Sequence, residues 1–162
     1  MRRIVFVVTT LVALAALALG AAPAEAQSGH FIERGAGAPE CVDIGTQVEC
    51  SGKVAGLGGT TFEIRVTASG IASVECENPG GNVAPGQDTA VDVAGSSGPL
   101  PTPRNGQFVF TGLTTDPPTV PNFPTCPNPQ WTARVVDVTF GDATLLLFED
   151  GVLSDQVTVP VM

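Results

Sequence analysis

The sequence contains no tyrosine, one tryptophan, one histidine and only seven basic residues among 162. Each shortage removes a class of activity. Without tyrosine, and with Trp131 as the single tryptophan, the chain lacks the aromatic platforms that wall a sugar-cleaving cleft or stack on nucleic-acid bases. The sole histidine, His30, lies in a stretch without periodicity, so a folded core has no Ser-His-Asp or Cys-His relay to draw on. Gly95-Ser96-Ser97-Gly98 is not the Gly-x-Ser-x-Gly nucleophile elbow, and it sits among prolines. Helical spacing of apolar residues at i, i+3, i+4 and i+7 is also missing beyond the N-terminal region. No Cys-x-x-Cys pair and no Asp-x-Asp-x-Asp-Gly loop occurs, so neither a zinc site nor an EF-hand is expected.

The one long apolar run is Ile4 to Leu19, 16 residues, after Arg2 and Arg3 and before Ala24-Glu25-Ala26. A bilayer needs about 20 apolar residues. A basic start, a short apolar stretch and a small-x-small end are the three parts of a secretory signal peptide, predicted here as residues 1–26. Export to the extracellular space follows, with no membrane insertion after cleavage.

Removing Arg2, Arg3 and Glu25 takes the seven basic and sixteen acidic residues to five and fifteen, a net charge of −10. The remaining basic residues (Arg34, Lys53, Arg65, Arg104 and Arg134) are scattered. An acidic surface of this kind repels polyanions, so nucleic acid is not an expected partner.

What is present is strand chemistry. Val42, Ile44, Thr46, Val48 and Cys50 alternate with polar residues, as do Phe62, Ile64, Val66 and Ala68, and then Ala72, Val74 and Cys76. Ser69-Gly70 is expected to turn the second run into the third. Further strands are expected at Asp88–Val93, around Phe108 and Phe110, at Trp131–Phe140, at Ala143–Phe148 and at Val152–Val159, the last two joined by an Asp150-Gly151 hairpin turn. Nineteen glycines and fourteen prolines punctuate them. About eight short strands with such turns predict an all-β, immunoglobulin-like antiparallel β-sandwich over residues 41–162. Residues 27–40 read as a flexible N-terminal leader.

Four cysteines, Cys41, Cys50, Cys76 and Cys126, remain in the mature chain, and in an exported protein they imply two disulfides. Three connectivities exist. The shared Cys-x-Asn-Pro pattern at Cys76 and Cys126 favours joining those two, which leaves Cys41–Cys50 across a hairpin near Gly45-Thr46. The sequence alone leaves Cys50–Cys76 open.

Candidate binding residues lie on loops, since a rigid sandwich displays its loops at its ends. They are Asn78, Asn82 and Gln87 in one turn-rich segment, and Phe123 and Trp131 in and after the proline-rich connection Thr114–Gln130. For Trp131 the plainer expectation is a core position against a Cys76–Cys126 bridge. Asp43, Asp88, Asp116, Asp142 and Asp150 could offer oxygens to calcium, but single acids at turns mostly fix the turn itself. Glu75 with Glu77, or Glu149 with Asp150, are the available carboxylate pairs for hydrolysis. No cofactor, metal or catalytic residue is assigned.

Gly52-Lys53-Val54-Ala55-Gly56-Leu57-Gly58, the run from Cys76-Glu77-Asn78-Pro79-Gly80-Gly81-Asn82 to Gln87, and Cys126-Pro127-Asn128-Pro129-Gln130-Trp131 resemble motifs of a group of small secreted bacterial β-sandwich proteins without an assigned activity. The likeness spans most of Cys41–Phe148. It implies an exported domain and carries no catalytic residues. The expected function is a secreted non-catalytic interaction or structural module that meets an extracellular protein or glycan. A secreted hydrolase, or a hydrolase inhibitor presenting Phe123 between Pro121 and Pro124, is the rival.

Overall fold

A computed structural model describes residues 28–162, so the signal-peptide expectation for 1–26 lies outside the described residues. Its strands are β1 His30–Phe31, β2 Glu40–Asp43, β3 Val48–Ala55, β4 Thr61–Glu77, β5 Val83–Pro85, β6 Thr89–Ser96, β7 Leu100–Pro101, β8 Phe108–Thr114, β9 Thr132–Glu149 and β10 Val152–Pro160. They form two antiparallel sheets. In the small sheet, β3 pairs with β8 along one edge and with β2 and then β1 along the other. In the large sheet the order is β10-β9-β4, and the far edge of β4 is shared end to end by β7, β6 and β5. A parallel bridge between Cys41 and Val161 links the small sheet to the C-terminal end of the chain.

The backbone of the large sheet is one 17-residue strand, β4, against one 18-residue strand, β9. The expected turn at Ser69-Gly70 does not occur. Gly70 pairs with Phe140 on one side and Val91 on the other, so its backbone is taken up by two ladders. The sequence carried the reason: Phe62, Ile64, Val66, Ala68, Ala72, Val74 and Cys76 all occupy even positions, a single phase that a continuous strand preserves. β9 instead changes phase twice. Val136 and Asp137 are both exposed, and so are Gly141 and Asp142, at the two places where its register against β4 slips by one residue. Two β9 residues facing one β4 residue is a β-bulge, which re-aims the side chains that follow. Gly141-Asp142 was expected to separate two strands, but it bulges a single one.

The main core lies between the sheets, with Phe62, Ile64, Leu145 and Leu147 facing Phe31, Val48, Val54 and Phe110. A second, smaller apolar cluster holds Ala72, Val74, Val91 and Val138 on the far half of the large sheet. Val120, from the proline-rich connection, packs on that cluster.

Both expected disulfides are formed, Cys41–Cys50 across β2 and β3 and Cys76–Cys126 between β4 and the connection. Neither joins one sheet to the other. Two expectations are corrected. The leader is not loose from residue 28 onward: Phe31 is buried against Phe110, and Ile32 N–H donates to the Lys53 carbonyl. Its aromatic ring fills the core end that the 41–162 boundary left unfilled. Trp131 is not a core residue; it is half-buried and belongs to neither apolar cluster.

Candidate functional site

Turn chemistry at the C-terminal end of β4 builds one face of the candidate site. Asn78 Oδ1 accepts hydrogen bonds from the N–H groups of Gly80 and Asn82, both at 2.9 Å, and Asn78 N–H donates to the Asn82 carbonyl at 3.0 Å. An Asn side chain that mimics a backbone acceptor in this way fixes a tight turn. The Asn78 side chain is therefore part of the scaffold, and Asn82, Val83 and Gln87 are among the exposed residues of the loop.

The proline-rich connection forms the other face. Asn122 anchors it twice, its carbonyl accepting Cys126 N–H at 2.7 Å and its Oδ1 accepting Ala133 N–H at 2.9 Å. Next to it, Phe123 is 59% exposed, although Thr125 and Cys126 two and three residues on are buried. Asn128 shapes the exit, its Oδ1 accepting Gln130 N–H and its carbonyl accepting Trp131 N–H.

The two segments meet. Cys76–Cys126 joins them covalently, and Gln87 N–H donates to the Thr125 carbonyl at 2.9 Å. A shallow cleft runs between them, lined by Glu77, Asn78, Pro79, Gly81, Gln130 and Thr132. Glu77 and Arg134 sit at its margin, 3.9 Å apart. All five sequence-nominated residues thus fall at one end of the large sheet. Gln87 and Phe123 are linked through the contact at Thr125, whereas Trp131 flanks the connection at its exit.

Of the carboxylate pairs suggested for chemistry, Glu149 and Asp150 are not brought together. Glu149 and Asp150 are consecutive but enter separate hydrogen-bond networks. Asp150, at φ 47°, starts the tight turn with Gly151 at φ 82°, the double positive-φ turn expected from Asp-Gly. Its carboxylate accepts from the hydroxyl and N–H of Thr60 and of Thr61, which hold its pKa down at about 2. Asp43 likewise accepts Gly45 N–H at 2.7 Å and fixes its hairpin turn. Among the described residues, no three His, Cys, Asp or Glu side chains are grouped as metal ligands. His30 is exposed on β1, with Nδ1 2.9 Å from the Ser28 carbonyl.

The sequence pairs Glu149 with Asp150 but does not foresee its burial. Glu149 is fully buried, at the end of the inward series Ala143, Leu145, Leu147. Its Oε1 accepts from Gly58 and Gly59 N–H at 2.7 and 3.2 Å, and its Oε2 from Gly29 N–H at 2.9 Å and the Ser154 hydroxyl at 2.8 Å. Burial alone would raise its pKa, but these hydrogen bonds outweigh burial and hold it below the ordinary glutamate value. The signal was parity: continuing the 143-145-147 phase by one step puts Glu149 inside.

Comparison with known proteins supplies no identity: no protein-family model matches the chain, and a search of curated proteins returns no match.

Proposed function

We propose that this chain is a secreted, non-catalytic interaction module that binds an extracellular protein or glycan with the loop end of its large sheet. The observation that carries this reading is the exposure of Phe123 on a segment pinned on both sides by Asn122, Thr125 and the Cys76–Cys126 bond. A large apolar ring left 59% exposed by a pinned loop leaves most of its surface uncovered by the fold. Because the loop is ordered beforehand, little conformational entropy is lost when a partner covers the ring. The two disulfides, and the absence among the described residues of a helix able to cross a membrane, are compatible with export. The resemblance to small secreted bacterial proteins supports the same address.

The test uses the mature protein and its Phe123→Ala variant as paired baits in the native extracellular fluid and on a glycan array. Retention by the wild type that the variant loses, with unchanged thermal stability, supports the reading. Equal retention by both, or none by either, removes it. The same ring between Pro121 and Pro124 favours a second reading, a loop inserted into the apolar specificity pocket of a hydrolase. Inhibition of a secreted hydrolase by the wild type and not by Phe123→Ala would select that one.

A further inference from the structure

The opposite end of the sandwich holds a different device. We propose that the segment Ser28–Phe31 is an acid-released strap: two carboxylates of the β9–β10 hairpin, Glu149 and Asp155, hold it by accepting its backbone N–H groups, and protonation of the buried Glu149 frees it.

The strap is a strand with unequal edges. On one side it pairs with β3 in the ordinary way, His30 opposite Ala55 and Phe31 opposite Val54. On the other side the place of a neighbouring strand is taken by side chains. Gly29 N–H donates to Glu149 Oε2 at 2.9 Å, and Phe31 N–H donates to Asp155 Oδ2 at 2.8 Å. The Ser154 hydroxyl lies 2.8 Å from both the Gly29 carbonyl and Glu149 Oε2. Alternate N–H groups of an extended segment point the same way, so Gly29 and Phe31 present their donors to one edge. A ladder made of backbone carbonyls is indifferent to acid. One made of carboxylates titrates.

The seat fits this segment closely. A Cβ at Gly29 would lie 2.7 Å from Glu149 Oε2 and 3.1 Å from Leu147 Cδ2, so only glycine brings its N–H that near. Two positions on, the Phe31 ring packs edge-on to Phe110 with centroids 6.3 Å apart. Gly58 and Gly59, the other backbone donors to Glu149, lie in the connection between β3 and β4 and are fixed at both ends. Beyond Phe31 and Ile32 the strap leads into exposed residues 33–36. When Glu149 gains a proton it loses acceptor capacity for the three backbone N–H groups of Gly29, Gly58 and Gly59, and the strap is the donor able to leave.

The other charged groups around it do not duplicate this role. Asp150, on the adjoining turn, is engaged with Thr60 and Thr61. His30 is exposed, and its Nδ1 lies 2.9 Å from the Ser28 carbonyl, away from both carboxylates' N–H contacts. The Lys53 stem lies along Gly37, and Glu33 and Arg34 are exposed beyond the strap. Departure of the strap would uncover the Phe110 edge and Val54, an apolar seat at the end of the sandwich away from the loops.

The test is hydrogen exchange on the mature protein from pH 7 to pH 2.5, with each rate divided by its intrinsic value. Protection of the Gly29 and Phe31 amides is expected to fall at least tenfold relative to the Ile64 and Leu145 amides, below the usual glutamate range of about 4.3. Ser154→Ala removes a donor to Glu149 and should shift that loss to higher pH. Glu149→Gln should show an unprotected strap at pH 7 over an intact core. A constant ratio of strap to core protection throughout, a strap already open at pH 7 in the wild type, or an unmoved midpoint in Ser154→Ala overturns the proposal. If Glu149→Gln fails to fold, the wild-type profile and Ser154→Ala decide it.

Discussion

Consecutive acids can have opposite fates, and Glu149 and Asp150 show how a single step along a strand decides this. Parity turns Glu149 inward to a cage of N–H donors, while the turn holds Asp150 at the surface over Thr60 and Thr61. Asp150 has a folded pKa of about 2 against an ordinary 3.8. A depressed folded value means its stabilisation is complete above the unfolded pKa and is lost as pH falls through about 2. Asp150→Asn keeps a residue that tolerates positive φ but removes the charge. The variant should have a lower urea midpoint than the wild type at pH 5, and the gap should narrow steadily by pH 2. A gap independent of pH would show that the charge on Asp150 is not what Thr60 and Thr61 stabilise.

Among the elements, the two disulfides have different tasks. Cys41–Cys50 closes a nine-residue step inside a hairpin whose two strands are already paired, whereas Cys76–Cys126 closes fifty residues and ties a proline-rich connection that contributes no strand. Loop-closure entropy gives about 2.6 kcal/mol for the first and about 4 kcal/mol for the second. Replacing Cys76 and Cys126 together by serine should therefore lower unfolding free energy more than replacing Cys41 and Cys50, as read from urea titrations. It should also expose Val120 and its cluster to proteolysis within the connection. Strand positions were readable from alternation alone, as at Phe62–Ala68. Strand continuity was not, because Gly70 and Gly141 look like breaks until the partner strand shows that one lies in two ladders and the other forms a bulge.

Over the whole molecule, acidity is nearly uncompensated. The described residues 28–162 carry five basic and fifteen acidic side chains, a net −10, and among them the ion pairs are Glu63–Arg65, with its arginine exposed, and the wider, exposed Glu77–Arg134. Exposed pairs contribute little, while like-charge repulsion acts over the entire surface and is screened by salt. Raising ionic strength from 10 to 150 mM is thus expected to increase the melting temperature of the mature protein, by roughly 2–4 °C for each kcal/mol of repulsion relieved. A fall instead would mean that the exposed pairs outweigh the repulsion. The long β4–β9 ribbon also keeps the two candidate devices apart: the loops cluster at Glu77 and the strap at the Phe62–Glu149 pair, 15 residue steps, or about 50 Å, along the strand.

By itself the sequence determined what depends on local chemistry: period-two alternation and hence the all-β class, the Asp150-Gly151 turn, the loop residues and the pool of four cysteines. The tertiary structure decided what depends on which distant groups meet. It paired the cysteines, and it brought Asn78–Gln87 to the Thr114–Gln130 connection. It left Trp131 outside the core. It also drew residues 28–31 into a seat built 120 residues later by Glu149 and Asp155. The physical reason is that a buried carboxylate is tolerated only where donors converge on it, and Gly29, Gly58, Gly59 and Ser154 converge only once both sheets are assembled.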